Sequence, residues 1–200
     1  MVEKSFSGKL ERGLIHVYTG DGKGKTTASL GLALRAMGHG LNVYMVQFMK
    51  IGYTGELLAL QKFGLPMGFE SYNVECKNQS LHDAEIAAGT FKGYCRDCFI
   101  PTQYDALMAV KAFAKGKDAV LSGKYDMVIF DELNVALNMK LVPLEEVLSL
   151  MKEKPPFMEM IITGRNAPQE VLNEADYITL MDLKRHPYMK KIYARKGIEF

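Results

Sequence analysis

Short apolar runs alternate with segments of helical periodicity along most of the chain. Runs rich in β-branched and aromatic residues predict strands, and apolar residues that recur every three or four positions predict helices. Nearly continuous apolar strands that alternate with helices are typical of a parallel sheet covered on both faces. The pattern therefore predicts an α/β fold with a three-layer, doubly wound and mostly parallel sheet. The first predicted strand begins at Leu14, and the other five span 41–48, 67–74, 126–131, 158–163 and 177–181.

The segments between these strands carry helix signals. Residues 25–37 are small and apolar and end at Gly38, which suits the position just past a helix C-terminus. Helices are also expected at 143–151 and 168–173, because each segment begins with a proline, a residue favoured in the first turn. Before the strand at 126–131, apolar residues recur at helical spacing and predict a stripe that faces the core: Leu107, Val110, Ala114 and Leu121.

Residues 50–100 are less regular than the rest of the chain and contain all three cysteines. They predict a helix, the strand at 67–74 and a long functional or metal-pinned loop. No internal repeat or low-complexity linker divides the sequence, and 200 residues suffice for one full core. We therefore expect a single domain over residues 1–200, with an irregular insertion at about 50–100.

The composition is that of an ordinary globular protein, with 48% hydrophobic and 24% charged residues. The net charge of +2 mixes both signs, which gives no electrostatic reason to expect nucleic acid or an anionic membrane as partner. No apolar run approaches the roughly 20 residues of a membrane span, and the N-terminus lacks a signal-peptide core. Three cysteines make a disulfide framework unexpected. These features predict a cytoplasmic protein.

The segment at 14–27 carries the clearest chemical signal and reads L-I-H-V-Y-T-G-D-G-K-G-K-T-T. A strand, a glycine-rich turn and Lys-Thr at a helix start are the parts of a phosphate-binding P-loop. Glycines let backbone N–H groups converge on an anion, and the helix adds its positive dipole end. Lys25 is expected to face solvent and to meet the phosphates, and Thr26 is expected to bind Mg²⁺. The alternative is a glycine-rich turn without a ligand.

The glycine spacing departs from the usual pattern G-x-x-x-x-G-K-[ST]. Aligned on Gly24, that pattern requires glycine at position 19, but this chain has Thr19 there and its first glycine, Gly20, one residue later. We therefore expect a bound triphosphate to be seated differently from the nucleotide of an ordinary P-loop.

Two further groups are expected at the carboxyl edge of the sheet, where doubly wound folds bind ligands. Asp131 and Glu132 end an apolar strand, where a Walker-B acidic pair holds Mg²⁺ directly or through water. The alternative is the acidic start of a helix or loop. Arg165 follows the strand at 158–163, and its planar guanidinium group suits terminal phosphate oxygens. The alternative is a surface arginine in a turn.

The sequence shows no pattern for a protein nucleophile with its base, neither G-x-S-x-G nor H-E-x-x-H. A second substrate must then bring the nucleophile, which fits group-transfer chemistry. Two of the four histidines have structural interpretations. His16 is expected to be a satisfied core residue, and His39 to belong to the turn that ends the first helix.

A cluster of cysteines and a histidine falls within the irregular insertion. Cys95 and Cys98 form a C-x-x-C pair, and Cys76 and His82 precede it. Four such ligands in a loop-rich segment suit a closed tetrahedral Zn²⁺ site. The alternative is three reduced thiols and a surface histidine.

Several motifs occur in an order that resembles one family. They are G-D-G-K-G-K-T-T, R-A-M-G-H-G, V-Q-F-M-K, F-D-E-L-N, P-L-E-E-V, I-I-T-G-R and the terminal A-R-K-G-I-E-F. Together they resemble the P-loop type of corrinoid adenosyltransferase over nearly the whole chain except 50–100. The resemblance implies a P-loop NTPase fold of the RecA-like kind, and an enzyme that makes adenosylcobalamin from cob(I)alamin and ATP.

The resemblance also implies a mechanism and a set of site residues. In this family cobalt(I) attacks C5′ of ATP and releases triphosphate, and the P-loop holds the terminal phosphate of an ATP bound in reverse orientation. Catalytic roles then fall to Lys25, Thr26, Glu132 and Arg165, and Mg²⁺ binding to Thr26, Asp131 and Glu132. The implied ATP-binding residues are Gly20, Asp21, Gly22, Lys23, Gly24, Lys25, Thr26, Thr27, Arg35 and Arg165.

Two positions depart from the family pattern. Asp21 stands where many members have asparagine, and its carboxylate repels a triphosphate unless a cation screens it. The chain reads G-T-F-K-G-Y at 89–94 in place of G-F-T-W, and it has no tryptophan. Phe91 and Tyr94 are therefore the candidates for aromatic contacts to the corrinoid, and His186 is expected in a loop near the ligand.

Partners and alternatives complete the expectations. The resemblance implies a reductase or reduced flavoprotein as the electron source, and a homodimer. A P-loop nucleoside kinase is one alternative, although its zinc-binding cysteines are expected after the Walker-B strand and not before it. A non-catalytic ATP- or corrinoid-binding protein is the other.

Overall fold

Six strands form one sheet in the computed structural model, which describes residues 10–50, 54–73, 78–90, 100–190, 192, 195, 197 and 198. They are β1 (Ile15–Thr19), β2 (Val43–Lys50), β3 (Met67–Asn73), β4 (Met127–Asp131), β5 (Glu159–Thr163) and β6 (Tyr177–Leu180). Their order in the sheet is β3-β2-β4-β5-β1-β6, and every neighbouring pair runs parallel. The predicted parallel α/β sheet is confirmed.

Helices connect the strands. They are α1 (Lys25–Gly38), α2 (Gly55–Phe63), α3 (Gln79–Ala87), α4 (Gln103–Leu121), α5 (Leu133–Asn138), α6 (Leu144–Glu153) and α7 (Gln169–Asn173), and a short 3₁₀ helix follows at Pro187–Lys190. In the part of the chain that the structure describes, no helix is both long and apolar enough to span a bilayer.

The helices cover both faces of the sheet, and each face has its own apolar cluster. On one face, Ala33 of α1 belongs to a cluster with Ile129 of β4. On the other face, Phe113 of α4 and Leu150 of α6 belong to a cluster with Phe130 of β4. Because successive residues of a strand point to opposite faces, β4 supplies both clusters. The predicted three-layer architecture is confirmed.

The helices differ from the predicted ones in two respects. α1 includes Gly38, its C-cap is His39, and Gly40 adopts a φ of 78° in the turn that follows. The turn glycine is therefore Gly40, and the prediction for Gly38 is wrong, whereas His39 lies in the turn as predicted. In addition, the insertion contains two helices, α2 and α3, where the sequence predicts one, and α5 is not predicted at all.

The apolar stripe predicted on α4 is wrong, because it faces away from the core. Leu107, Val110 and Leu121 are 50%, 51% and 49% exposed. The helix begins with a capping box between Thr102 and Asp105 and lays mostly small residues against the sheet. The buried residues of α4 are Asp105, Ala109, Ala112, Phe113, Gly116, Ala119 and Val120.

Gly116 marks a very close approach of α4 to the sheet. A Cβ atom at this position would lie 2.2 Å from Cε1 of Phe130. We expect Gly116→Ala to lower the free energy of unfolding by about 1–3 kcal/mol, because overpacking outweighs the gain in helix propensity. Urea unfolding followed by circular dichroism measures the difference.

Gly31→Ala is the matched control for this substitution. Gly31 lies within α1, and nothing lies within 4 Å of its Cβ position. The same change there should raise the free energy of unfolding by roughly 0.4–1 kcal/mol, since alanine restricts the unfolded chain. A free energy of unfolding for Gly116→Ala equal to or above that of the unsubstituted protein would contradict the close packing of α4 on Phe130.

Candidate active site

The glycine-rich loop at 20–24 connects β1 to α1 and lies beside the end of β6. Gly20 and Gly24 have φ values of 97° and 110°, which glycine adopts without steric cost. The N–H of Gly22 donates to the carbonyl oxygen of Met181 at 2.7 Å, and a Cβ atom on Gly22 would approach that oxygen to 2.6 Å. Close contact with the chain after β6 therefore fixes the loop at the N-terminus of α1.

Lys25 is buried within the loop. The residue is 7% exposed, and its Nζ donates to the carbonyl oxygens of Gly20 and Gly22 at 2.6 and 2.7 Å. Burial lowers the pKa of Lys25, and the positive charge of Arg165 lowers it further, against the opposing effect of nearby carboxylates. The prediction that Lys25 faces solvent is wrong, because its ammonium group binds the loop from the inside.

Asp131 is the centre of a hydrogen-bond network at the carboxyl ends of the strands, and its side chain is fully buried. Its Oδ1 accepts hydrogen bonds from the hydroxyls of Thr26 at 2.8 Å and Thr163 at 2.7 Å. Its Oδ2 accepts a bond from Nε2 of Gln47 at 3.1 Å and lies 3.3 Å from Nζ of Lys50. This carboxylate therefore links the start of α1 to the ends of β2, β4 and β5.

Glu132 lies next to Asp131 and begins α5 in a left-handed conformation, with a φ of 65°. Its N–H donates to Oγ1 of Thr163 at 3.0 Å. Burial raises the pKa of Glu132, and the charge of Asp131 raises it further. Burial alone would lower the pKa of Lys50, but Asp131 and Glu132 outweigh that effect and the pKa is raised. The buried Asp131 and the half-buried Glu132 together form an acidic pair with a lysine beside it.

We expect the raised pKa of Glu132 to appear in the pH dependence of Mg²⁺–ATP binding. A carboxyl group whose pKa is raised takes up its proton at a higher pH than an ordinary carboxyl group, and the protonated group no longer attracts a cation. As the pH is lowered, affinity should therefore begin to fall at a higher pH than an ordinary glutamate would cause, as measured by titration calorimetry.

Glu132→Gln is the control, because the titration of ATP itself is common to both proteins. This variant should bind Mg²⁺–ATP more weakly at neutral pH and with a flatter pH profile. Parallel profiles for the two proteins would show that Glu132 does not titrate in this range.

A cleft of about 580 Å³ opens in front of the loop and Glu132, whereas the predicted magnesium ligand Asp131 is buried and does not line it. Of the predicted site residues, 21–27, Glu132, Arg165 and His186 line it. Nε of Arg165 lies 4.0 Å from Oδ1 of Asp21. A positively charged guanidinium group therefore lies beside the carboxylate of Asp21. The cleft thus offers positive charge to phosphates and carboxylates to a metal ion.

Some predicted residues lie elsewhere. Gly20 does not line the cleft but binds Lys25 through its carbonyl oxygen. Arg35 is exposed in the last turn of α1 and does not line the cleft, so its contact with ATP stays a prediction. His16 lies at the core edge as a satisfied residue, with Nε2 2.6 Å from Oε1 of Glu159.

The predicted corrinoid and zinc residues fall mostly outside the described part of the chain. His82 is described, and its Nδ1 lies 3.3 Å from Oε2 of Glu85. Among the residues with a described position, no three His, Cys, Asp or Glu side chains are grouped to hold a metal ion. The predictions that lie outside the described residues are Phe91, Tyr94, Cys76, Cys95 and Cys98.

Sequence reasoning assigns no role to several polar residues of the site. Gln47 and Lys50 lie in the motif V-Q-F-M-K, and Thr163 lies in I-I-T-G-R. Their signal is a polar side chain at the carboxyl end of an otherwise apolar strand. Glu56 lies in the first turn of α2, lines the cleft and accepts a hydrogen bond from Nε2 of Gln47 at 2.8 Å.

The oxygen donors at the acidic pair fit a Mg²⁺ ion. Oγ1 of Thr26 and Oδ1 of Asp131 lie 2.8 Å apart, and Glu132 borders the cleft directly beside them. Mg²⁺ prefers one or two carboxylates together with hydroxyl, water and phosphate oxygens. The donor set therefore matches this ion and offers no soft ligand.

Comparison with known proteins agrees with this geometry. A model of the family described as ATP:corrinoid adenosyltransferase BtuR/CobO/CobP matches residues 11–200. A corrinoid adenosyltransferase of Sinorhizobium sp. is 34% identical over 95% of this chain and 81% of its own length. The corrinoid adenosyltransferase CobA of Salmonella typhimurium is also 34% identical, over 95% and 87%. That of Pseudomonas aeruginosa is 31% identical, over 99% and 89%.

These matches extend over nearly the whole chain, and the matched range includes the loop, Glu132 and Arg165, which line the cleft. The protein belongs to the ATP:corrinoid adenosyltransferase family, a family of transferases.

Proposed function

We propose that the protein transfers the 5′-deoxyadenosyl group of ATP to the cobalt of a reduced corrinoid, such as cob(I)alamin. The observation that carries this proposal is the contact between Thr26 and Asp131, which joins the phosphate-binding loop to the acidic pair at one cleft. Family membership supplies the substrate class, and the cleft supplies the groups that an ATP triphosphate requires.

The reaction balances without a nucleophile from the protein. Cobalt(I) donates an electron pair to C5′ of ATP, the Co–C5′ bond forms, and the C5′–O5′ bond breaks. The electron pair of the broken bond leaves with triphosphate, and the cobalt is formally oxidised from Co(I) to Co(III). The protein must therefore align two substrates and stabilise the charge that develops on the triphosphate.

The residues of the cleft divide this work between them. The N–H groups of the first turn of α1 are placed to meet the anion, whereas the N–H of Gly22 is already bonded to Met181. Lys25 lines the cleft and supplies a full positive charge. Arg165 lines the cleft beside Asp21 and suits the terminal phosphate. In this arrangement the loop holds the leaving group, so C5′ extends away from it towards the corrinoid.

A magnesium ion would be held by Thr26, Asp131 and Glu132. When bound, it neutralises charge on the phosphates and stabilises triphosphate as a leaving group. Thr163 and Gln47 orient the carboxylate of Asp131 through its two oxygen atoms. Oriented carboxylates of this kind bind metal ions more tightly than free ones.

One assay tests the proposed reaction. The protein is incubated with ATP, Mg²⁺ and chemically reduced cob(I)alamin, and the corrinoid spectrum and the phosphate products are followed together. Adenosylcobalamin and triphosphate should appear in equal amounts. ADP as the product would favour a P-loop nucleoside kinase, and binding without either product would favour a non-catalytic carrier.

We further propose that Phe91 and Tyr94 contact the corrinoid, with His186 at the border of the cleft. His186 lines the cleft in the described structure, which supports its part of this proposal. Phe91→Ala and Tyr94→Ala should each raise the KM for cob(I)alamin while the Kd for ATP stays unchanged. An unchanged KM for the corrinoid in both variants would remove these two residues from the site.

We also propose a Zn²⁺ site formed by Cys76, His82, Cys95 and Cys98. The support is the C-x-x-C pair and the number of soft ligands within one short segment. Metal analysis of chelator-washed protein should find one zinc ion per chain. Protein that contains no zinc and has three reactive thiols would instead support the alternative of three reduced cysteines and a surface histidine.

Three expectations about the cell complete the proposal. Cobalt(I) requires an electron donor, so we propose a reductase or reduced flavoprotein as partner. A cytoplasmic location fits this requirement, because reduced flavins and ATP are both available there. We propose a homodimer by family resemblance, and light scattering coupled to size-exclusion chromatography measures the mass directly.

A further inference from the structure

Lys50 lies at the end of β2 and lines the cleft, outside the proposed set of ATP and magnesium ligands. Its Nζ lies 3.3 Å from Oδ2 of Asp131, and its side chain is 20% exposed. The side chain of Asp131 is fully buried. The contact therefore pairs a cleft lysine with the most buried carboxylate of the site.

The alternation of side chains between the two faces of the sheet is interrupted in β2 directly before Lys50. Gln47 pairs with Asp131 of β4, but the pairing with β3 shifts between Gln47 and Lys50, where Met49 has a φ of 55°. Phe48 and Met49 both pack against the apolar cluster under α4, whereas successive residues of a regular strand alternate. This irregularity places Lys50 on the same face of the sheet as Gln47, next to Asp131.

This irregularity strains the backbone at Met49. A left-handed φ is strained for methionine, and such strain persists only where the surrounding structure requires it. β-Bulges of this kind commonly re-aim a side chain beside an active site. The geometry of β2 therefore serves to direct Lys50 to the acidic pair.

A cation bound by Thr26, Asp131 and Glu132 would bring its charge close to the ammonium group of Lys50. Like charges a few ångströms apart repel each other, and the repulsion is stronger in a partly buried site than in water. A buried carboxylate beside a second, half-buried one also needs a positive charge nearby. Lys50 meets that need permanently, whereas a metal ion meets it only when bound.

We propose that Lys50 is a built-in counter-ion of Asp131 and Glu132, which makes binding of the divalent cation depend on ATP. Lys50 lowers the affinity of the acidic pair for a free divalent cation. The phosphate oxygens of ATP then add the negative charge that draws the cation in against Lys50. Lys50 is thus a positioning residue for the metal–nucleotide complex. This inference rests on the proposed metal site at Thr26, Asp131 and Glu132.

The test measures Mn²⁺ binding to the full-length protein by electron paramagnetic resonance, without any corrinoid. The unsubstituted protein should bind Mn²⁺ weakly alone and roughly a hundredfold or more tightly with ATP. Lys50→Met should bind Mn²⁺ about tenfold more tightly in the absence of ATP, since one repelling charge at this distance has an effect of this order. Lys50→Arg keeps the charge and should behave like the unsubstituted protein.

Lys23→Met is the matched control, because it removes the same charge from the same cleft on the side of the loop. It should change Mn²⁺ affinity without ATP by less than about threefold, because Lys23 is exposed and solvent and salt screen its charge. Equal effects of Lys23→Met and Lys50→Met would show that only the overall charge of the cleft matters, which would overturn the proposal. Tight Mn²⁺ binding by the unsubstituted protein without ATP would also overturn it, with no substitution needed.

Two further outcomes are distinguishable. If Lys50→Met leaves Mn²⁺ binding unchanged without ATP but weakens it with ATP, Lys50 is a phosphate ligand and the counter-ion role is wrong. If Glu132→Gln leaves Mn²⁺ binding with ATP unchanged, the proposed metal site itself fails. In that case the fault lies with the proposed function and not with Lys50 alone.

Discussion

Replacing Lys25 by alanine should lower the rate of adenosyl transfer by about 10²- to 10³-fold, the loss typical of removing one preorganised group that stabilises a developing anion. The ammonium group lies inside the loop, bonded to the carbonyl oxygens of Gly20 and Gly22, so it is already in place when charge develops on triphosphate. Steady-state rates with saturating ATP and cob(I)alamin measure the effect.

Two variants separate charge from loop structure in this prediction. Lys25→Met removes the charge but keeps much of the buried volume, and it should lose nearly as much activity as Lys25→Ala. Lys23→Ala removes an equal charge from an exposed residue of the same loop and should lose clearly less. Near-wild-type rates in Lys25→Met would contradict the role of the ammonium group.

Replacing Asp131 by asparagine should damage both stability and activity. The carboxylate accepts hydrogen bonds from Thr26 and Thr163 and pairs with Lys50, and the amide cannot serve all of these partners. Breaking a fully buried ion pair costs about 3–5 kcal/mol. Because Lys50 is partly exposed, we expect a loss of about 1–3 kcal/mol in the free energy of unfolding.

The activity of Asp131→Asn should fall at least about a hundredfold at a fixed concentration of Mg²⁺, and added Mg²⁺ should restore part of it. Urea unfolding and Mg²⁺ titrations of the rate measure the two effects. Asp126→Asn is the matched control, since Asp126 precedes the same strand at its other end and accepts one exposed bond from the N–H of Asn42. Equal losses in the two variants would contradict a special role for Asp131.

The phosphate loop could be predicted because its signal is local. Glycines at 20, 22 and 24, followed by Lys25 and Thr26, specify the turn, the helix start and the charge within seven residues. The burial of Lys25 was not predictable in the same way. It depends on two carbonyl groups that turn inward, and on the chain after β6 that holds Gly22 in place.

The face of α4 shows where hydrophobic periodicity misleads. Large apolar residues such as Leu107 and Val110 suggested the core side, but the sheet leaves room there only for small ones. Phe130 projects from β4 against Gly116, so contact selects glycine and alanine on that face. A pattern that counts apolar size therefore assigns the wrong side of a closely packed helix.

The role of Lys50 was missed for a different reason. Strict alternation along β2 puts Gln47 and Lys50 on opposite faces of the sheet, and only the shift at Met49 brings them together. That shift depends on pairing with β3 and on packing under α4, neither of which is local in sequence. Non-local pairing of this kind is what the sequence pattern does not contain.

The central claim is that C5′ of ATP is the atom that reacts and that triphosphate is the leaving group, and an isotope experiment tests it most directly. ATP labelled with ¹⁸O at O5′, the bridging oxygen between C5′ and the α-phosphorus, is converted with reduced cob(I)alamin, and the products are analysed by mass spectrometry. Cleavage of the C5′–O5′ bond predicts that all of the label is found in triphosphate and none in the adenosyl product. Label retained with the nucleoside, or ADP in place of triphosphate, would show attack at phosphorus and contradict the account.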